Sequence, residues 1–345
     1  MKLWLFACLL LGVLSGSAGA IETLGHLSVQ DVLVRPYFEV SQPEGGNFSL
    51  GESSFALQWS NDDLFSSYIM IGQRTLVNQE GMYVSPQSPN PNGFTFVEAY
   101  GQALGSYGQF RLGMIPIEYG AEGQLRESEL IFPRSLIFER GIIGLRDLGA
   151  SYAIQYNGFF TRIVVHNGES TENTDGRLWY TSAWGWSNET DFQVGAMGST
   201  GSTTPASTMN STYSVAGFDP TRNSKWRLFG GFIKWYPKNW KFLAEGTGGE
   251  LLQGGLQKFY VGHFDAIYDF SKMFSGLFRY DELNPNSTPT NDHTRYVSAG
   301  AAFRTAHDTM AIYLIATEVF EQGHANSNQF RLVLRLTPLP TATIF

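Results

Sequence analysis

Charge is scarce in this chain. Of 345 residues only 16% are Asp, Glu, Lys or Arg, against roughly 25% in an average soluble protein. Cysteine is nearly missing: Cys8 stands alone, which excludes a disulfide framework. The one long apolar run, Leu3 to Leu14, falls short of the roughly 20 residues that a membrane-spanning helix needs. Mean hydropathy is −0.14, so a bundle of apolar helices is excluded as well. Basic charge is also short, with a net charge of −8 and a pI near 5.3. That argues against nucleic acid as a partner.

What is abundant is glycine, 38 residues, and aromatic side chains, 14%. The N-terminus reads as an address. Met1-Lys2 is followed by the apolar stretch and then by Ala18-Gly19-Ala20, the layout of a secretory signal peptide cleaved after residue 20. A membrane anchor is the plainer alternative and fails on length. Leu5-Phe6-Ala7-Cys8 looks like a lipoprotein box, but too few residues precede the cysteine and the apolar run continues past it. Loss of residues 1–20 removes Lys2 and Cys8, takes the net charge from −8 to −9 and leaves residues 21–345 without cysteine. Such a chain cannot form a wrong disulfide while crossing an oxidising compartment.

Beyond residue 30 the pattern has period 2. Phe55, Leu57 and Trp59 alternate with Ala56, Gln58 and Ser60; Phe330, Leu332, Leu334 and Leu336 alternate with Arg331, Val333, Arg335 and Thr337. Successive side chains on a strand face opposite ways, so each segment has an apolar and a mixed face. The reading is all-β. Sixteen strands are expected, near 31–41, 53–60, 64–76, 93–104, 109–118, 146–156, 159–166, 177–187, 191–199, 225–236, 240–248, 257–270, 273–283, 293–305, 309–320 and 329–337. Short connections such as Asn157-Gly158 alternate with long ones such as 42–52, 77–92, 119–145 and 200–224. Tyr213 to Gly217, a seventeenth candidate, would break the alternation and is assigned to a loop.

That rhythm predicts a transmembrane antiparallel β-barrel, because a sheet spans lipid only if it closes. Trp235, Tyr236 and Trp240 beside Pro237 to Asn239, and Tyr152 and Tyr156 beside Asn157, suit the aromatic girdles at the headgroup level. A soluble β-sandwich is the alternative, but so many strands without a visible linker disfavour it. The chain ends in Phe345, an aromatic terminus of the kind barrels often carry, although Pro338 and Pro340 interrupt the last strand.

The segment from Gly108 to Gly168 carries ordered motifs: Gly108-Gln109-Phe110-Arg111 running to Pro116, Phe138-Glu139-Arg140, Gly144-Leu145-Arg146-Asp147-Leu148-Gly149, and Asn167-Gly168. Later come Arg279-Tyr280-Asp281 and Asn284-Pro285-Asn286. In this order they resemble the phosphate-selective porins of the porin O and P type. The resemblance implies a sixteen-stranded, homotrimeric barrel that passes small hydrophilic solutes passively in the outer membrane, against lipid and lipopolysaccharide. It does not extend to phosphate selectivity. Those pores are lined with many basic residues, whereas here only Lys225, Lys234, Lys238, Lys241, Lys258 and Lys272 follow the signal.

In such a channel fixed charge and width select what passes. The longest connection, 119–145, follows the fifth strand and holds Glu122, Arg126, Glu127, Glu129, Arg134, Glu139 and Arg140. Leu130-Ile131-Phe132-Pro133 and Leu136-Ile137-Phe138 would be costly to leave in water. The loop is therefore expected to fold into the lumen, with Arg126, Glu127, Glu129, Arg134, Glu139 and Arg140 at a constriction; a solvated surface loop is the alternative. Arg111, Arg279, Arg304, Arg331 and Arg335 alternate with apolar neighbours, and with Arg146, Asp147 and Asp281 they are expected to line the lumen, as a structural network or as solute contacts. A mild cation preference follows from the net charge. No cofactor or metal is expected: His26, His166, His263, His293, His307 and His324 show no ligand spacing. An outer-membrane hydrolase built from scattered barrel residues, or an adhesin resting on the Ser/Thr/Asn-rich stretch 199–223, are the other function classes.

Overall fold

The computed structural model describes residues 26–42, 45–61, 64–73, 94–106, 108–168, 173, 175–188, 190–205, 219, 221–287, 293–305, 309–322, 326–337 and 342–343. The expected signal peptide, Tyr213 to Gly217 and Phe345 lie outside them. Among the described residues no helix is long and apolar enough to cross a membrane. The period-2 segments form one antiparallel sheet of nineteen segments.

Three breaks hide a simpler count. β1 (His26–Leu33) runs on into β2 (Tyr37–Ser41), β3 (Gly45–Ser49) into β4 (Ser54–Ser60), and the last two segments, β18 (Ser327–Leu336) and β19 (Ala342–Thr343), stand in line beside β2 and β1. Pro36, which has no N–H to give a ladder, lies in the first break. On one side this first stave meets β3 and β4 along its length, Tyr37 facing Ser49 and Val29 facing Leu57. On its other side it meets the chain's end: β2 faces β18, Val34 bridges Leu336, and β1 faces β19. The sheet thus returns to its own beginning. Joined across the breaks, the segments make sixteen staves among the described residues.

Each remaining stave is one segment, paired with the next: β5 (Phe65–Gln73), β6 (Phe94–Gly105), β7 (Gly108–Pro116), β8 (Arg146–Tyr156), β9 (Phe159–His166), β10 (Trp179–Ser187), β11 (Phe192–Thr203), β12 (Ser224–Trp235), β13 (Trp240–Leu252), β14 (Leu256–Asp269), β15 (Phe274–Asn284), β16 (Thr294–Arg304) and β17 (Met310–Glu321). Between β8 and β9, Asn157 and Gly158 both have positive φ, 49° and 81°, as the tight hairpin turn requires. Two expected long connections are shorter than the sequence suggests. Residues 45–49, expected in a loop 42–52, pair back on β2, and β13 and β14 are joined by residues 253–255 alone. Gly-rich polar strands such as Gly45-Gly46-Asn47 carry almost no apolar alternation, so only the cross-strand pairing reveals them.

The alternation has the expected sense. Phe110, Leu112, Phe229, Phe278, Phe303, Leu314, Phe330 and Leu332 are exposed on the outer face. Around the short turns Trp235, Trp240, Phe242, Tyr268, Phe270 and Phe274 stack in a belt, with ring centroids 4.7 to 5.8 Å apart along it. The buried apolar residues lie inside the barrel instead.

Candidate functional site: the loop in the lumen

The connection after the fifth stave turns inward, and its apolar residues take it there. Ile117, Tyr119, Ala121, Leu136, Ile137, Phe138, Ile142 and Ile143 pack against inner-wall Trp179, Met197, Trp226, Phe232, Leu243, Phe259 and Val261 in one buried cluster. Phe132 joins a second cluster with Ile267, Leu277, Tyr313 and Val333. Each fully buried Leu, Ile or Phe contributes about 1.5–3 kcal/mol, so both ends of the loop are held by the wall. The stretch is not structureless: Glu122–Gln124 make a turn of 3-10 helix, and Leu136–Glu139 one turn of α-helix, α1.

Polar anchors then fix its register. Glu245 on β13 accepts the backbone N–H groups of Ala121 and Glu122, at 2.7 and 3.1 Å. Gly120 has φ +71°, and a Cβ there would sit 2.5 Å from the Glu245 carboxylate, so this close approach needs glycine. Asp281 on β15 accepts the Leu136 N–H at 2.7 Å. Glu118 is held by Arg111 (3.0 Å) and Arg162 (2.5 Å). Arg279 grips Asp265 with two nitrogens and reaches Glu122 at 2.8 Å.

Glu127 is clamped from both sides, by Arg146 through two bonds of 2.8 Å and by Arg134 at 3.0 Å. Burial alone would raise its pKa, but Arg146 and Arg134 hold the carboxyl down to about 2. Across the barrel Arg35, at the break between β1 and β2, pairs with Glu52 and donates to the carbonyls of Glu127 and Ile131. Arg335 donates to the carbonyl of Ser128 at 2.7 Å.

Among the described residues, two polar spaces lie beside the loop. The larger, about 290 Å³, is bordered by Arg134 and Glu139 of the loop and by Arg35, Glu39, Arg279 and Arg331 of the wall, among others. The smaller, about 90 Å³, lies between the loop and β5 to β8, against Tyr68, Glu98, Tyr100, Arg111 and Arg126. The arginines on the larger space carry carboxylate partners: Arg331 pairs with Glu39, beside Arg35–Glu52 and Arg279–Asp265.

No protein-family model and no curated protein matches the chain. Solved structures do. The anion-selective porin from Comamonas acidovorans superposes with a TM-score of 0.66 at 11% identity, over 90% of this chain and 98% of that one. OmpT, an outer membrane protein of Vibrio cholerae in trimer form, gives 0.65 at 11% over 90% and 98%. Salmonella typhi OmpF in complex with daunomycin gives 0.60 at 10% over 92% and 98%. The fold is that of the outer-membrane porins.

Within this barrel the residues singled out from sequence separate into groups. Arg126 and Glu129 are exposed on the loop, Glu129 accepting the Arg126 N–H at 2.7 Å. Glu127 and Arg134 are buried in the clamp. Glu139 and Arg140 meet the wall at Tyr296, and Arg140 also pairs with Glu321 at 3.7 Å. Arg111, Arg146, Arg279, Asp281 and Arg331 border the two spaces. Arg335 faces the loop, while Arg304 pairs with Asp269 at 3.2 Å and borders neither space.

Asp147 points inward and is fully buried. It accepts from Gly168 N–H (2.6 Å) and Leu148 N–H (2.8 Å) and meets His166 Nδ1 at 2.7 Å. Among the residues expected to line the lumen, it sits in this buried network. Sequence reasoning missed Arg35, Glu39, Glu52, Glu118 and Glu245. Glu39 has a legible signal, since it alternates with Phe38 and Val40. Arg35 and Glu52 have none, because they sit where the strand period breaks.

Proposed function

We propose that this chain is a passive channel of the bacterial outer membrane, open to small hydrophilic solutes and narrowed by the loop 119–145. The observation that carries the reading is the polar space of about 290 Å³ left between that loop and the wall, inside a barrel with an apolar outer face. Lipid and lipopolysaccharide cover that face. Residues 1–20 act as the export signal, and the mature chain starts at Ile21. Three barrels assemble as a homotrimer, in keeping with the trimer form of the Vibrio cholerae protein. Arg126, Glu127, Glu129, Arg134, Glu139 and Arg140 shape the constriction, the buried members by holding the loop and the exposed ones by facing the path.

Each wall arginine on the larger space is neutralised by an acid, which supports weak charge selectivity with a slight cation preference from the net charge. The kinship with porins of the O and P type rests on the motif order alone. Arg146 and Asp147 of its Gly-Leu-Arg-Asp segment act as anchors for Glu127 and Gly168, a structural role compatible with any solute.

A hydrolase reading has one observation in its favour. Asp147, His166 and Thr181 form a hydrogen-bonded chain, with His166 Nε2 3.0 Å from Thr181 Oγ1. All three are at most 3% exposed, so no substrate reaches the hydroxyl, and the chain serves to tie β8, β9 and β10 together. Planar bilayers decide the matter. Stepwise conductance, with swelling of sugar-loaded liposomes, supports the channel. Absent conductance together with esterase activity that His166→Ala abolishes would replace it by the enzyme.

A further inference from the structure

The inner wall carries a histidine with an acid on each side in one cross-strand row. Glu245 of β13 faces His263 of β14, which faces Asp281 of β15. Asp265 and Arg279 form the neighbouring inward pair, and Glu122 reaches the group from the loop. All six are buried. These four carboxylates are directly paired with one guanidinium and one imidazole, with Arg134 close by on the Glu122 carbonyl, and the Arg279 guanidinium is fully committed to Asp265, Glu122 and the Pro133 carbonyl. Elsewhere around the loop the balance is different: Glu127 and Glu118 each have two arginines. Excess negative charge away from bulk water is costly unless a cation or a proton joins it.

The atoms left over are the ones a cation needs. Glu245 uses Oε2 for the loop backbone, while its Oε1 has no hydrogen-bond partner and faces His263 Nδ1. These side chains are 3% and 1% exposed. His263 Nδ1 and Glu245 Oε1 are 3.7 Å apart, too far for a hydrogen bond. Two ligands of one tetrahedral zinc ion, each at about 2.0–2.2 Å, lie about 3.4 Å apart. One donor atom each from Glu122, Glu245 and His263 fall within 4.8 Å of one another.

We propose that Glu122, Glu245 and His263 bind a divalent metal ion of the zinc class that staples the root of the loop to the wall. Two carboxylates and an imidazole suit zinc and its transition-metal neighbours, whereas calcium and magnesium ask for six or more oxygens. The ligands are already oriented by partners, as metal sites require: Arg279 and Ser135 hold Glu122, and the Ala121 and Glu122 amides hold Glu245. One ligand belongs to the loop and two to adjacent strands, so the ion would join elements that are otherwise linked by hydrogen bonds and packing. The site stands whether or not the barrel conducts, and its test uses no transport measurement.

Full-length protein folded in detergent is loaded with Zn²⁺, dialysed against metal-free buffer and analysed for metal. About one ion per chain is expected in the wild type and in Glu250→Gln, a partly exposed acid of β13 that pairs with Arg227, and about a tenth of that or less in His263→Asn and Glu245→Gln. Loading with Co²⁺ should give visible d–d bands that the His263→Asn variant lacks. Where a variant does not fold, a chromophoric chelator titrated against the wild type reads the site directly, and slow or incomplete stripping is the expected result. Wild-type protein that retains no more zinc than His263→Asn, or that yields its metal to the chelator as freely as buffer does, would mean that protons balance the acids, and the proposal fails.

Discussion

Glu127 shows what a charge in this lumen is for. Its carboxylate lies between Arg134 and Arg146, and Arg134 also donates to the carbonyls of Glu122 and Leu125. One acid therefore links β8, the loop's first turn and its middle. Glu127→Gln leaves two buried guanidiniums short of a partner, and breaking such a pair costs about 3–5 kcal/mol. The expected outcome is a clear drop in the temperature of heat unfolding in detergent, while Glu129→Gln, on the exposed side, stays within about 0.5 kcal/mol of the wild type. The pH dependence has a definite sign. A carboxyl ordinarily near 4.5 and held at about 2 by the fold contributes its full stability above pH 4.5. That contribution is lost as pH falls toward 2. Stability measured across this window should fall with acid in the wild type and fall less steeply in Glu127→Gln.

At the scale of the element, the loop is a wedge with an apolar side and a charged side. Phe138 lies in the main cluster at 1% exposure, and Phe138→Ala should cost about 3–5 kcal/mol, seen as a lowered unfolding temperature with the barrel strands retained by circular dichroism. Excision of residues 126–140 removes the part of the wedge that borders both spaces. Single-channel conductance should rise, and an unchanged value would place the narrowest point elsewhere. The breaks in the first two staves belong to the same design. Arg35 can reach the Glu127 and Ile131 carbonyls because the strand gives way at Arg35-Pro36, opposite Gly51-Glu52.

For the whole molecule, the outward rows must meet lipid. Leu112, 60% exposed in the middle of β7, tests this against its inward neighbour Arg111. A charge on the lipid face near the bilayer midplane costs about 2–4 kcal/mol. Leu112→Arg should therefore lower the folded yield in lipid vesicles, where Arg111→Leu, which leaves Glu118 with Arg162 as partner, should leave insertion intact. Equal yields would mean that this face does not contact acyl chains.

Local pattern along the chain was enough for the barrel and for the entry of one loop. These follow from period-2 alternation and from apolar residues that water would not tolerate, both of which are local. Glycine-rich β3 escaped notice because pairing, not side-chain pattern, makes it a strand. Which charges meet is a matter of contacts made in three dimensions. Arg146 lies 19 residues from Glu127, and Arg279 lies 157 from Glu122, and barrel closure brings each pair together. No spacing rule reaches across such distances, so whether a charged side chain anchors the loop or faces the water path is set by the three-dimensional fold.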